Sequence, residues 1–413
     1  MGSKAYKNLD DAIKYHFPYK EYEDLINDVC SYIKKRIGKY LDITKTFYVE
    51  DDYIDVNWRF LYSKHYSKTY YRECSKYSIR VHLFKGDINE PDYMGYFLLR
   101  PIPVLFALSK IVLKPIKGFY NLEESYLMTN IVEINIMDID FSVKINAFQL
   151  LVQDTVVGVC ADACINMVAY YLSNKFPRDF PNYLPEKLFP IHLYSRAIPS
   201  YGLTTYEMSE ILLNAGYNSY IQEFTNNKED FIGFIDSQIE SALPVILSYE
   251  QHVSIIVGHT NSKSLPKQYI IYDDSGVHLK TIGFNNDPLF SGLLDLGKIE
   301  WNKRVFTISF DFDKVFLRHE YVDKMLKELG LKPNDFERKL LIDYRTLVSQ
   351  LKDKNVDYYS RSQNKPHYVW WLEGNSKVGL VIDASCHKYD TKYSIIAFVK
   401  NNNKGDIRLL YKT

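Results

Sequence analysis

The chain has 413 residues, of which 46% are hydrophobic and 25% are charged, a composition typical of a soluble globular protein. This composition excludes collagen-like, coiled-coil and intrinsically disordered chains. Lys and Arg together number 51, and so do Asp and Glu. The resulting net charge of zero predicts neither a nucleic-acid partner nor binding to an anionic membrane. At roughly 100 to 200 residues per domain, the length predicts two or three domains.

The cysteines and the apolar segments indicate the compartment. Five cysteines in 413 residues are too few for a disulfide scaffold. The first residues lack the apolar stretch of a signal peptide. The most apolar windows, 104–115 and 152–172, contain charged residues and fall short of the roughly 20 apolar residues that a membrane-spanning helix needs. We therefore expect a cytoplasmic protein with no membrane partner.

The first two of three predicted regions are both mixed in secondary structure. Residues 1–145 open with apolar residues at helical spacing around 22–33 and continue into strand-like runs at 77–84 and 94–99. Residues 146–300 indicate three helices followed by several strands. This segregated order predicts an α+β fold with an antiparallel sheet, since a parallel sheet has alternating helices and strands.

The third region, residues 301–413, is predicted to contain helices followed by a β-meander. Helical stretches are expected at 311–330 and 335–351. Strands are expected at 368–372, 379–383, 393–399 and 407–411, with a hairpin turn at 401–405.

The segment 153–172 carries the strongest chemical signal. Apolar residues recur there at the spacing of one buried helix face: Ala161, Cys164, Ile165, Val168 and Leu172. This pattern places Cys160 at the helix start, where unpaired N–H groups stabilise an anion such as the reactive thiolate. Cys160 is therefore the candidate nucleophile, with a buried core thiol as the alternative. Cys164 is expected to be a small core residue.

Three strand-like runs downstream supply partners for a thiol: 242–247, 252–258 and 268–272. His252 opens the second run, at a sheet end where an imidazole can reach a cleft. Asp273 follows the third run and can orient that imidazole, with Asp274 open as the alternative. His259 is the rival base, but it lies seven positions beyond His252 and would face the other side of a continuous strand. We therefore prefer His252.

Together these residues resemble the papain-like cysteine peptidases of the C39-like group. The resembling positions are Gln153, Cys160, Ala163, Cys164, Met167, 204–215, 244–246, 252–258 and 272–273. The likeness covers about residues 147 to 280. An upstream stretch, 95–101, is similar to flanking regions of standalone bacterial proteins that contain such a domain.

The resemblance implies a papain-like central domain, with a helix packed on an antiparallel sheet, and a cysteine peptidase that cleaves a peptide or isopeptide bond. Cys160 would attack the carbonyl, His252 would act as the base and Asp273 would orient it. Gln153 would help to form the oxyanion hole. The partner is then a peptide or protein substrate, the oligomeric state stays open, and the flanking regions are expected to cover the cleft or to select the substrate.

Two other functions stay open. The same thiol would serve an acyl transferase if an amine replaced water. An inactive papain-like scaffold that binds a protein is favoured by Ala161 and Asp162, where the family usually has Gly and then a small residue or Pro. No zinc-ligand or phosphate-loop spacing occurs, so we expect no metal and no cofactor. Cys386 beside His387 is a weaker reactive pair, for which a turn is the expected context.

Overall fold

The structure is a computed structural model with side chains. It describes residues 5–17, 23–68, 74–102, 107–116, 125–153, 160–188, 202–249, 252–260, 268–273, 284–285, 291–294, 296, 299–313, 315–328, 330–332, 336–353, 357–360, 366–374, 378–385 and 395–400. The chain divides into two compact units, Met1–Glu223 with Ile246–Ile308, and Phe224–Val245 with Ser309–Thr413. The borders of these two units differ from those of the three regions predicted from the sequence. The division into three regions stays a prediction. Within the described ranges, no helix is long and apolar enough to cross a membrane.

Helices and antiparallel sheets build the described part of the chain, which confirms the predicted α+β class. The described helices are α1 (Leu9–His16), α2 (Glu23–Ile43), α3 (Val56–Lys64), α4 (Cys160–Lys175), α5 (Pro185–Leu188), α6 (Thr205–Asn214), α7 (Lys228–Glu240), α8 (His319–Glu328) and α9 (Tyr344–Asp353). The described strands as far as residue 151 are β1 (Ala5–Tyr6), β2 (Thr46–Tyr53), β3 (Ser78–Phe84), β4 (Tyr93–Leu99), β5 (Leu108–Leu113), β6 (Ser125–Leu127), β7 (Asn130–Ile136), β8 (Phe141–Ala147) and β9 (Leu150–Leu151). Those that follow are β10 (Ser219–Glu223), β11 (Val245–Tyr249), β12 (His252–Thr260), β13 (Tyr269–Tyr272), β14 (Phe284–Asn285), β15 (Ser291–Leu294), β16 (Val305–Phe310), β17 (Phe336–Asp343), β18 (Asp357–Ser360), β19 (Tyr368–Gly374), β20 (Val378–Asp383) and β21 (Ile395–Lys400).

The first unit contains a six-stranded antiparallel sheet in the order β1-β2-β3-β4-β5-β9. Its strands β3 and β4, which lie where the sequence predicts them, are buried along their whole length. The hairpin β7–β8 covers one face of this sheet. Alternate residues of the hairpin are buried, as expected for strands with one solvated face. These residues, among them Val132, Ile134 and Ile145, pack with Tyr48, Tyr93 and Tyr96 of the sheet.

The second sheet of this unit has the order β10-β16-β11-β12-β13-β15-β14, with β6 also paired to β12. The three predicted strands that would carry the site are confirmed as the neighbours β11, β12 and β13. β11 begins at Val245, later than predicted, because Ala242 has a positive φ of 57° and the chain turns there. Helix α4 packs against β9 of the first sheet, β12 of the second and helices α5 and α6. It is therefore buried on nearly every side, and the single buried face predicted for it is too narrow.

The close pairing of β6 with β12 depends on a glycine. A Cβ added at Gly258 would lie 2.2 Å from the carbonyl oxygen of Tyr126, which no real side chain tolerates. A glycine inside a strand commonly marks such a close approach of two backbones. Residues before 145 thus form part of the same sheet as His252.

The second unit contains a five-stranded antiparallel sheet in the order β17-β19-β20-β21-β18. Helices α7 and α9 pack against β17 and α9 also packs against β19. The predicted strands at 368–372, 379–383 and 393–399 are confirmed as β19, β20 and β21. The predicted turn at 401–405 and the strand at 407–411 lie outside the described residues.

Two helix predictions in this unit are wrong in part. The stretch predicted as a helix at 335–351 forms strand β17 before α9, because β17 pairs along its length with β19. Sheet pairing outweighs helical spacing there. The helix predicted at 311–330 is only α8, since the N–H groups of Phe316 and Leu317 donate to the carbonyl of Ala384 and are not available to a helix.

Candidate active site

Cys160 is the first residue of helix α4, as the apolar spacing predicts. Its side chain is partly exposed, whereas the next residues of the helix are buried. Asp162 lies in the same first turn and is only 1% exposed. The free N–H groups of a helix N-terminus favour negative charge there, both on a carboxylate and on a thiolate.

His252 and Asp273 are brought together by the pairing of β12 with β13. His252 is the first residue of β12, and Asp273 follows the last residue of β13. The antiparallel register joins Ile255 to Tyr272, which places Asp273 beside the first residues of β12. The Asp273 carboxylate is hydrogen-bonded to Nε2 of His252, and both side chains are buried.

Cys160 completes the cluster, since a hydrogen bond and a charge interaction with its side chain are among the causes that raise the pKa of His252. The structure thus joins three of the four predicted site residues in the order thiol, imidazole, carboxylate. Asp274, the other candidate orienter, lies outside the described residues.

The charge state of His252 reflects its two partners. Burial opposes the charged imidazolium, but hydrogen bonds and charge interactions with Asp273 and Cys160 outweigh it and raise the pKa of His252 to about 10. The imidazole is therefore protonated at neutral pH.

The rival candidates lie elsewhere. His259 stands near the far end of the nine-residue strand β12, where its ring is fully buried and packs 5.9 Å from that of Tyr126. Cys164 is fully buried, and its Sγ lies 3.7 Å from the carbonyl oxygen of Val253, so it is the core residue that the sequence predicts. The pair Cys386 and His387 lies outside the described residues.

Gln153 is not joined to the cluster. In the part of the chain that the structure describes, no hydrogen bond connects its side chain to Cys160. Its oxyanion role stays a prediction. What the structure adds is Arg100, a buried residue whose guanidinium donates to the carbonyls of Val152 and Gln153. A third bond, 3.1 Å to the carbonyl of Leu108, ties the same side chain to β5.

Arg36 is a second residue that sequence reasoning missed. It lies on α2, is 4% exposed, and its Nη2 donates to the main-chain carbonyl of Asp273 at 2.7 Å. One signal could have identified it. The predicted apolar stripe runs through Val29 and Ile33, and the next position on that stripe is an arginine. A charge on a buried helix face needs a partner, and only the three-dimensional structure identifies it.

The arrangement can perform nucleophilic chemistry at a carbonyl. It combines a thiol at a helix N-terminus, a protonated imidazole in contact with it and a buried carboxylate that orients the imidazole. No model of a known protein family matches this chain, and no curated protein matches it.

Proposed function

We propose that the chain is a thiol hydrolase that cleaves a peptide or isopeptide bond, with Cys160, His252 and Asp273 as its catalytic triad. The observation that carries this proposal is the His252 imidazole, which is hydrogen-bonded to Asp273 through Nε2 and whose pKa Asp273 and Cys160 together raise. A papain-like arrangement, with the nucleophile helix α4 packed on the antiparallel strand β12, fits the same proposal.

The proposed reaction begins from the ion pair of Cys160 and His252. The thiolate attacks the substrate carbonyl, and the negative charge that develops on oxygen is stabilised by N–H groups at the start of α4. His252 then gives its proton to the leaving amine, and an acyl group remains on Cys160. A water molecule, deprotonated by His252, hydrolyses the thioester and releases the acid.

Asp273 has two tasks in this scheme. Its carboxylate fixes the orientation of the imidazole toward Cys160, and its charge stabilises the imidazolium. Both tasks need the carboxylate to be held still. Its side chain is 1% exposed, which protects the hydrogen bond from water.

The experiment is alkylation by iodoacetamide at about pH 6, well below the ordinary thiol pKa, with each modified cysteine quantified by mass spectrometry. The chain holds its own control in Cys74, which is partly exposed like Cys160 but whose burial raises its pKa to about 12. We expect rapid modification of Cys160 and little modification of Cys74. In His252→Ala, the two cysteines should no longer differ in their rate of modification. Equal, slow modification of both thiols would contradict the proposal and favour a binding scaffold.

A further inference from the structure

Arg36 makes an unusual contact for a residue of the N-terminal region. It lies on the buried face of α2 beside Ile33 and Tyr40, among apolar side chains. Removing a guanidinium from water is costly unless it is well hydrogen-bonded. Its Nη2 reaches across 237 positions of sequence to the main-chain oxygen of Asp273. A buried cation on a catalytic residue's own backbone calls for an explanation in terms of the site.

The main-chain carbonyl of Asp273 lies just beyond the paired part of strand β13. β13 pairs with β12 and with β15, and both registers end at Tyr272. Asp273 is the next residue and lies beyond the last paired position. The backbone direction of Asp273 therefore depends on contacts outside these two registers, and the side chain follows the backbone. The hydrogen bond from Arg36 acts at this point.

We propose that Arg36 is a positioning residue of the triad, which holds the backbone of Asp273 so that its carboxylate stays on Nε2 of His252. The inference rests on the proposed function and deepens it. It makes the N-terminal helix α2 a component of the site, in place of the cover or substrate selector that the sequence alone suggests for this region. Arg36 touches no reacting atom, and its effect passes entirely through Asp273.

The chemistry of arginine suits this task. Its guanidinium is planar, always charged and rigid, so it fixes a carbonyl more firmly than a flexible ammonium does. Lysine at the same position can donate one hydrogen bond but would be more strongly hydrated. We therefore expect Arg36→Lys to retain part of the function and Arg36→Met, which has similar length and no donor, to lose it.

The chain offers a matched control on the same helix. Tyr40 lies four residues after Arg36, beyond a kink at Ile37. It is fully buried, and its hydroxyl donates to the main-chain carbonyl of Lys114 at 2.9 Å. Tyr40→Phe removes a hydrogen bond of the same type from a carbonyl that does not belong to the triad. A loss of helix packing would affect both variants, whereas a loss of positioning affects Arg36→Met alone.

The test uses the full chain in wild-type, Arg36→Met, Arg36→Lys and Tyr40→Phe forms, each shown to be folded by its thermal transition. The first measurement is the NMR pH titration of the His252 imidazole. The second is the rate of Cys160 alkylation at about pH 6. We expect Arg36→Met to lower the midpoint of His252 and to slow alkylation on the order of 10- to 100-fold, as a small misplacement of a catalytic group does. Arg36→Lys should be intermediate, and Tyr40→Phe should match wild type.

The two measurements separate the two proposals. Slow alkylation of Cys160 in wild type would contradict the proposed function, yet the His252 titration would still report whether Arg36 holds Asp273 in place. An unchanged His252 midpoint in a folded Arg36→Met protein overturns the positioning role, whatever the wild-type rate. If Arg36→Met does not fold, Arg36→Lys decides: a His252 midpoint and alkylation rate equal to those of wild type would contradict the role.

Discussion

Two buried histidines of the first unit lie beside a carboxylate, yet they differ in charge at neutral pH. His82 on β3 is fully buried and its Nε2 lies 2.7 Å from Glu50, yet its pKa is lowered to about 4. His252 on β12 is buried beside Asp273, and its pKa is raised to about 10. At neutral pH the first imidazole is neutral and the second is a cation.

The difference lies in how far each imidazole is buried and in what else each carboxylate contacts. Complete burial is the largest cause of the low pKa of His82. The hydrogen bond to Glu50 opposes burial, and the repulsion of the Arg80 guanidinium, which also pairs with Glu50, adds to its effect. His252 is opposed by burial too, but Asp273 and Cys160 both favour its cation. A neighbouring carboxylate is therefore insufficient to make a charged histidine. Burial and the charges of the whole cluster together determine whether the histidine is charged.

Asp273→Asn removes the charge from the active-site cluster and should have the largest effect. The amide keeps the size of the side chain but no longer stabilises the imidazolium, so the pKa of His252 should fall by several units. Cys160 alkylation at about pH 6 should slow by on the order of 10² to 10⁴, the range for loss of acid–base assistance. NMR titration and mass spectrometry measure the two effects. An unchanged rate would show that Asp273 does not support the thiol.

Glu50→Gln breaks the other cluster and should act on stability instead. It leaves the buried Arg80 without its counter-charge, which costs about 3 kcal/mol in the free energy of unfolding at neutral pH. Burial opposes ionisation of Glu50, but hydrogen bonds from His82 and Arg80 prevail and lower its pKa below 4.5.

The sign of the pH dependence follows from that direction. A carboxylate whose pKa is lower in the folded state stabilises the fold above its unfolded pKa, and this contribution is lost as the pH falls. Denaturant unfolding should therefore show that the difference in free energy of unfolding between wild type and Glu50→Gln becomes smaller below pH 4.5. A difference that widens in acid would refute this account of the cluster.

Arg80→Met should move His82 toward the behaviour of His252. Without the guanidinium, Glu50 pairs with the His82 imidazole and no longer with Arg80, and the repulsion between Arg80 and a charged His82 is lost. The pKa of His82 should therefore rise by about 1 to 3 units. The NMR titration of His82 gives the midpoint. Cys160 alkylation should stay at the wild-type rate, because Arg80 belongs to the β2–β3 face under the hairpin. A lower His82 midpoint would reverse the sign that we assign to Arg80.

Cys164→Ala should have the smallest effect and tests whether reactivity belongs to one thiol. The side chain is fully buried one turn after Cys160 and fills core space, so the substitution should cost about 1 kcal/mol of stability. Alkylation of Cys160 should not change. A clear fall in that rate, in a folded variant, would mean that Cys164 takes part in the chemistry.

The local parts of the site could be predicted from the sequence. Helical spacing placed Cys160 at the start of α4, and strand patterns placed His252 and Asp273 at adjacent strand ends. Those signals act over a few residues. The charge of His252 could not be predicted, because it depends on contacts between three separate elements.

The long-range parts could not be predicted. The carbonyls to which Arg36 and Arg100 donate lie 237 and about 50 positions away, and no local periodicity encodes such a pairing. The helix predicted where β17 lies was wrong for the same reason, because pairing with β19 determines the conformation of that segment. Gly258 is an intermediate case: a glycine in a strand indicates a close approach, but not that β6 is the element that approaches.

The most direct test of the central claim is to trap the acyl-enzyme. Wild type, Cys160→Ala and His252→Ala are mixed with p-nitrophenyl acetate at about pH 7, where an ordinary thiol is mostly protonated. Release of p-nitrophenol is followed, and the acetylated residue is mapped after acid quench. The account predicts a rapid burst with acetyl on Cys160, absent in Cys160→Ala and strongly reduced in His252→Ala. Acetylation that is slow, spread over several cysteines and independent of His252 would contradict it.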